Sequence, residues 1–486
     1  MHPIITSIAT AGPELVLTLG TLAALMLGTF TAPHRALGAT SLFAVAILAV
    51  AGFALLDAPA GAVRAFDGLY VADDFSAFLK VIIFAATAAS VILAQPWLGT
   101  SGTGRFEYPV LMLLAALGMA VMVSANDLLT LYIGLELTAL PSYVLAAFHR
   151  SDNRSAEAGL KYFVLGALAS GILLYGVTLI YGFAGSTQFD QIAAVVGAEA
   201  TRPLGLLFGI VFIVAGMAFK VSAVPFHMWT PDVYEGAPTP VAAFFSAAPK
   251  AAALGLMARV LVVAFPGKVA ADWQQIIIFI AIASMVLGAV AAVAQTNIKR
   301  LLAYSSIANI GFALVGLTPG SPAGISALLF YTCVYVAMTL GSFLVLLQLR
   351  RPDGEMVEQM ADLAGLSKTQ PRLAAALAIF MFSLAGIPPL LGFWPKFAVF
   401  QAAIAAGLVP LAIFGFIASV VAAYYYLRLI KIMYFDEPVV ALASEGSAAN
   451  GTMIAAAALF CSPVGMLALS PLAAATARAA AALFPA

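Results

Sequence analysis

The sequence predicts an all-α, polytopic membrane protein of about fourteen transmembrane helices, the seventh and twelfth of them discontinuous. Composition comes first: of 486 residues, 63% are hydrophobic and 9% charged, with mean hydropathy +1.05. A soluble domain carries roughly 25% charged residues. Second, apolar runs of about 20 residues, enough to cross a hydrocarbon core, recur from end to end. Third, prolines and ionisable residues interrupt two of these runs in a similar way, one in each half of the chain.

In order, the runs centre on 13–31, 37–56, 75–96, 108–124, 126–148, 158–184, 203–228, 238–264, 273–294, 301–318, 323–349, 371–402, 408–432 and 453–484. The first has no basic leader and no small-residue cleavage site, so it is expected to stay as a span. Connections are mostly short and favour antiparallel neighbours. The one longer polar connection, 350–370, reads RRPDGEMVEQMADLAGLSKTQ and is expected to include a surface-lying helix. With the N-terminus outside, twelve Lys/Arg fall in inner loops, from Arg35 and Arg105 to Arg428 and Lys431. The outer side keeps Arg64, Arg202, Lys268 and Arg478. The positive-inside rule then puts both termini on the outer side, periplasmic for a bacterial inner membrane.

The 22 basic and 22 acidic residues cancel, which removes any case for nucleic-acid binding. Two cysteines, Cys333 and Cys461, cannot hold an iron–sulfur cluster, and the four histidines lack metal-ligand spacing.

The chemistry lies in groups that lipid would reject. Lys220 sits deep in the run 203–229, just before Pro225. A charge at that depth costs at least ~3 kcal/mol and is tolerated when paired or facing a wet cavity. The proline frees carbonyls that also need partners. The combination returns at Pro388, Pro389 and Lys396, and KVSAVPFHMWTP echoes GIPPLLGFWPK. Five spans separate the two breaks, an odd number, so the units enter the membrane from opposite faces as in inverted-repeat transporters.

Glu136 lies near the middle of its run and offers an anionic partner for Lys220; against that stands a protonated glutamic acid hydrogen-bonded between helices. Lys250 follows Pro249 in a run of small residues that leave room for packing or water. Lys161 and His227 lie toward the inner ends of their runs, where snorkelling and an ordinary interfacial histidine compete with roles in proton transfer. Lys80 and Arg259, near span ends, are expected to anchor. The glycine-rich stretch 99–104 has no preceding strand and reads as a loop.

The segments NDLLTLYIGLELTALPSYVL, GMAFKVSAVPFHMWTPDVYEGAPTP, NIKRLLAYSSIANIGF and GIPPLLGFWPKF closely resemble the antiporter-like membrane subunits of respiratory complex I, across nearly the whole chain. The resemblance implies a three-helix segment (1–107), two inverted five-helix repeats (108–264 and 265–432) and a fourteenth helix (433–486). It also implies a Glu136–Lys220 pair on helices five and seven, a central Lys250 and an exit Lys396. Lys161 fits a modulating lysine. Lysine at position 396 separates two of the family's types from a third. A chain ending after span fourteen leaves no room for the long lateral helix of one of those two. The implied partners are the other membrane-arm subunits, with NADH, FMN, iron–sulfur clusters and quinone bound on partner chains and no cofactor on this one.

The expected activity is proton translocation driven by quinone reduction elsewhere. A carboxylate ~4 Å from an ammonium favours the bound proton by about 4 kcal/mol at an effective dielectric near 20. Moving Glu136 relative to Lys220 would therefore switch proton holding to proton release, with uptake near His227 and onward transfer through Lys250 to Lys396. Two readings compete: an Mrp-type Na⁺(K⁺)/H⁺ antiporter subunit, and a helical spacer whose charges only fix helix register.

Overall fold

The computed structural model describes residues 3–56, 61–198 and 203–484; Arg202 and both chain ends lie outside them. Among the described residues, thirteen helices are long and apolar enough to cross a membrane. Spans 1 to 6 are Gly12–Phe30, Pro33–Phe53, Asp74–Thr100, Glu107–Ser124, Leu128–Ala146 and Asn153–Ala184. Span 7 begins as half-helix 7a, Leu204–Val221, and after a break resumes as 7b, Trp229–Gly236. Spans 8 to 11 are Thr239–Ala264, Gly267–Val293, Ile298–Leu317 and Pro322–Gln348. Span 12 splits into 12a, Pro371–Ala385, and 12b, Phe393–Ala405, each too short to cross alone. Span 13 is Val409–Phe435, and Pro463–Ala481 ends span 14. Counting the broken span 12 brings the total to the expected fourteen.

Connections sort onto two faces. On one, Tyr70 bridges Ala125 and Asp127 bridges Gln188; on the other, which carries most of the basic loops, Asn297 bridges Gln359. The second is called the basic face below. The connection 350–370 holds no surface-lying helix. A short 3-10 turn, Met360–Leu363, and one helical turn, Leu366–Thr369, are separated by Gly365 in the left-handed region (φ 64°). Span 14 is also broken: Ala448–Cys461 stops at Ser462, because Pro463 offers no N–H to continue it.

Matched local chemistry marks the two halves. Asp127 caps span 5 by accepting from the N–H of Leu129 and Thr130; Asn297 caps span 10 from the opposite face, accepting from Lys299 and Arg300. Gly118 and Gly288, like Asp127 and Asn297, stand 170 positions apart. Each permits close packing, since an added Cβ would lie 2.5 Å from the Thr138 nitrogen or 2.6 Å from the Ala308 nitrogen, also 170 apart. In this register Ser306 occupies the position of Glu136.

Arg259 and Lys80 are not interfacial anchors. The Arg259 guanidinium grips Asp73 with two 2.8 Å bonds, both side chains almost fully buried. Lys80 pairs with Glu14 at 2.6 Å and donates to the Tyr70 hydroxyl at 2.8 Å. Removing one member of such a buried pair costs about 3–5 kcal/mol, so these contacts tie span 1 to span 3 and span 3 to span 8.

Candidate functional site

Both breaks are built the same way. Helix 7a ends with Ser222 at φ 64° and 12a with Gly386 at φ 79°. Ala223 N–H returns to the Ala218 carbonyl and Ile387 N–H to that of Phe382, at 2.8 and 3.1 Å. This left-handed cap closes a helix while leaving its last carbonyls aimed outward. The Val224–Pro225 and Pro388–Pro389 peptide bonds are cis. Gly392 is required in the second break, because a Cβ there would lie 2.1 Å from the Ser383 carbonyl oxygen. Each break is tethered: Val224 N–H donates to Ser284 Oγ of span 9 at 2.9 Å, and Leu391 N–H to the Cys461 carbonyl of span 14 at 3.1 Å.

The freed carbonyls receive lysines. Lys250, 1% exposed, donates to the Val221 carbonyl at 2.8 Å and also to Ser222 Oγ. Lys396, 6% exposed, donates to the Leu384 and Ala385 carbonyls and to Ser419 Oγ, each at 3.2 Å. Each ammonium also stands over a ring, Lys250 over Trp229 at 5.3 Å and Lys396 over Phe312 at 4.5 Å. A cation at a partly buried helix C-terminus gains up to ~2 kcal/mol, comparable to the ~3 kcal/mol or more that membrane depth costs. Near balance is the condition for a proton that can be both held and released.

Lys220 Nζ lies 5.7 Å from the centre of the Tyr143 ring and within electrostatic reach of Glu136. Lys220 and Glu136 form no ion pair within 4 Å; Glu136 Oε1 and the Tyr143 hydroxyl are buried without hydrogen-bond partners. The expected pair is thus together but parted. Ile133 and Leu140, one turn either side of Glu136, are 63% and 55% exposed, so this carboxylate sits beside the flank of the bundle. From Tyr143 a file of rings leads inward: Tyr162 at 4.9 Å, then Trp229 stacked on Tyr162 at 4.5 Å. Lys220 and Lys250 stand at its two ends.

Lys161 is elsewhere. It bridges Glu157 at 2.7 Å and Asp232 at 2.8 Å near the basic face. Arg300 joins Asp232 to Glu235, and Arg154 joins Glu235 to Glu358, which also meets Lys299 at 3.1 Å. This ionic chain fastens 7b to spans 6 and 10 and to the connection 350–370. Beside it a cavity of about 560 Å³ opens between the loops, with Arg154, Glu235, Lys299 and Glu358 in its wall. His227 lies inside the break of span 7 rather than at its inner end, because 7b adds two more turns before the basic face. Its Nδ1 is buried without a partner.

Burial raises the proton affinity of Glu358, but Lys299 and Arg154 outweigh it and hold this carboxyl below its ordinary 4.5. A folded value below the unfolded one means stability that is present above about pH 4.5 and lost as pH falls through the folded value. Glu358→Gln is therefore expected to lower Tm at pH 7 by an amount equivalent to roughly 1 kcal/mol. The difference from the parent chain should shrink as pH falls below about 4.5 in thermal melts of the detergent-solubilised complex.

Sequence reasoning missed Ser222 and Ser419, the hydroxyl partners of the two buried lysines. A serine two residues after Lys220, at the head of a proline break, was the available signal for the first. Nothing local marks Ser419.

Comparison with known proteins bears on this geometry. Residues 125–422 match the family described as NADH:quinone oxidoreductase/Mrp antiporter, TM. The chain is 55% identical to NADH-quinone oxidoreductase subunit N of Sphingopyxis alaskensis, covering 98% of this chain and 99% of that one. It is 56% identical to the same subunit of Rhizorhabdus wittichii, with 98% of each chain covered. Among solved structures, respiratory complex I from Thermus thermophilus with bound aureothin aligns over 95% of this chain and 98% of its own, at 33% identity and a TM-score of 0.82. The Mrp complex from Dietzia sp. aligns over 98% of both chains at TM-score 0.83 but 24% identity, a likeness of fold alone. This chain belongs to the NADH:quinone oxidoreductase/Mrp antiporter membrane family, and within it to the subunit N relatives of NADH-quinone oxidoreductase.

Proposed function

We propose that this chain is the proton-translocating subunit N of a bacterial NADH:quinone oxidoreductase, moving protons from the basic face, cytoplasmic in this reading, to the periplasmic face. The observation that carries it is the placement of Lys250 and Lys396, each buried against the freed carbonyls of a half-helix. Lys220 takes up the proton while Glu136 is near and passes it inward as the two part. Lys250 holds it at the centre, and Lys396 releases it toward the periplasm. Lys161 tunes uptake through Asp232, and His227 serves the break rather than the inner mouth. The cavity beside Glu235 and Glu358 supplies the polar opening that uptake needs on the basic face.

NADH, FMN, iron–sulfur clusters and quinone are assigned to partner subunits, and this chain contributes no redox centre. Carrying one charge against 100 mV costs about 2.3 kcal/mol, which quinone reduction in the neighbouring subunits supplies. The repeats 108–264 and 265–432 form the two half-channels.

A tagged chain is expected to co-purify with an assembly that oxidises NADH, reduces quinone and acidifies the lumen of inverted vesicles. A cysteine in place of Arg64 should react with impermeant thiol reagents from the periplasmic side alone. An isolated chain that exchanges Na⁺ for H⁺ in liposomes, with no such assembly, would overturn the reading in favour of an Mrp-type antiporter.

A further inference from the structure

We infer that a buried hydroxyl chain through Tyr234, Ser306, Tyr335, Ser305 and Tyr426 carries the proton between Lys250 and Lys396. This rests on the relay proposed above and names its connecting residues.

The chain has hydrogen bonds on spans 10, 11 and 13. Tyr335 donates to Ser306 Oγ at 2.7 Å, and as a separate pair the Ser305 and Tyr426 hydroxyls share a hydrogen bond of 2.5 Å, so water has to join Tyr335 to Ser305. All five residues are at most 1% exposed. At the Lys250 end, Ser222 Oγ accepts from both Lys250 and Thr230 Oγ1. Tyr234 lies one turn further along 7b; its hydroxyl approaches Ser306 yet has no hydrogen-bond partner of its own. At the other end Ser419, which receives Lys396, lies two turns from Tyr426 on one face of span 13. Intervals of one and two turns, ~5 and ~10 Å, are the reach of one to three waters.

A hydroxyl in an apolar interior costs about 1–3 kcal/mol unless bonded, so a bundle needing only shape would use leucine or phenylalanine here. Ser306 also occupies the position held in the first half by Glu136. The second half thus replaces a charged switch by neutral groups that both donate and accept. Asn309 orders them without conducting. Its Nδ2 donates to the Tyr426 hydroxyl at 3.1 Å and its Oδ1 accepts from Tyr331 at 2.7 Å. An amide does not exchange these roles, so Asn309 fixes where the two tyrosine hydroxyls sit, while the hydrogen of the Ser305–Tyr426 bond can lie on either oxygen.

In transfer, an N–H bond of the Lys250 ammonium breaks as an O–H bond forms on the first oxygen. Each hydroxyl or water gains one hydrogen and passes on another, and the last O–H breaks as the Lys396 amine becomes an ammonium. No tyrosine is left ionised. Every hydroxyl ends reversed and turns back before the next proton.

The test uses the assembled complex in proteoliposomes, measuring NADH-driven proton uptake and quinone reduction separately, in H₂O and D₂O. Ser306→Ala and Tyr335→Phe are expected to lower protons moved per electron pair about tenfold. Ser306→Thr, which keeps the hydroxyl, should stay within about twofold on the same scale, with a larger D₂O effect than in the parent. Pumping that falls only in proportion to the amount of assembled complex would make the cluster structural and overturn the inference. Unchanged pumping in Ser306→Ala, with Lys250→Met inactive, would overturn the bridge and leave the relay standing. Unchanged pumping in Lys250→Met would remove the relay itself. If Ser306→Ala does not assemble, Tyr335→Phe decides.

Discussion

Lys220→Ala is expected to reduce proton pumping by the assembled complex at least ~100-fold, the scale of losing a positioned proton-transfer group. The site explains why no neighbour substitutes for it. Lys220 stands over Tyr143, whose hydroxyl is unpartnered, and at the outer end of the ring file that leads to Lys250. Without the amine, that end of the file keeps hydroxyls and a carboxylate but loses the one lysine that stands there to hold the proton as a cation. Glu136→Gln should act differently. It keeps the shape but removes the attraction that makes Lys220 hold its proton, so pumping falls while assembly and melting temperature stay near parental. Glu136→Asp, which moves the carboxylate by one methylene, should recover part of the rate. Proton uptake by inverted vesicles, normalised to complex content, checks all three; parental pumping in Lys220→Ala would end the proposal.

Lys250→Met is the second large effect. Methionine matches the length of the stem but donates nothing, so the Val221 carbonyl and Ser222 Oγ lose their shared partner. A scaffold role predicts loss of stability with pumping unchanged per assembled complex. The relay predicts the reverse emphasis: assembly largely retained, because losing the desolvation cost of a buried ammonium offsets the hydrogen bonds lost with it, and pumping lost by ~100-fold. Native gels and vesicle acidification separate the two.

Much of this site was legible because isolated charges in apolar runs are conspicuous. Glu136, Lys220, Lys250 and Lys396 each break a hydropathy pattern that lipid enforces, and Pro225, Pro388 and Pro389 mark where the helices must open. The polar groups around them were not legible. Serine and tyrosine are common in membrane helices, so Ser222, Ser306, Tyr335 and Ser419 carry no signal until their partners are seen. Lys80 and Arg259 were misread because Glu14 and Asp73 lie far away in sequence, and a lysine near a span end fits snorkelling equally well. Position alone also misplaced His227: an apolar run does not reveal that 7b restarts beyond the break. The repeat was legible only as a motif echo; the constant spacing of Gly118 with Gly288 and of Asp127 with Asn297 stands out once the structure shows the matching caps and close approaches.

The bond from Val224 to Ser284 joins the kink of one half to a helix of the other. Bolted in this way, with the twelfth helix pinned to the last by Leu391, the bundle forms one stiff frame. Rocking of one half against the other would have to break the first of these bonds, whereas swinging lysines, turning hydroxyls and water files that fill and drain would leave both in place.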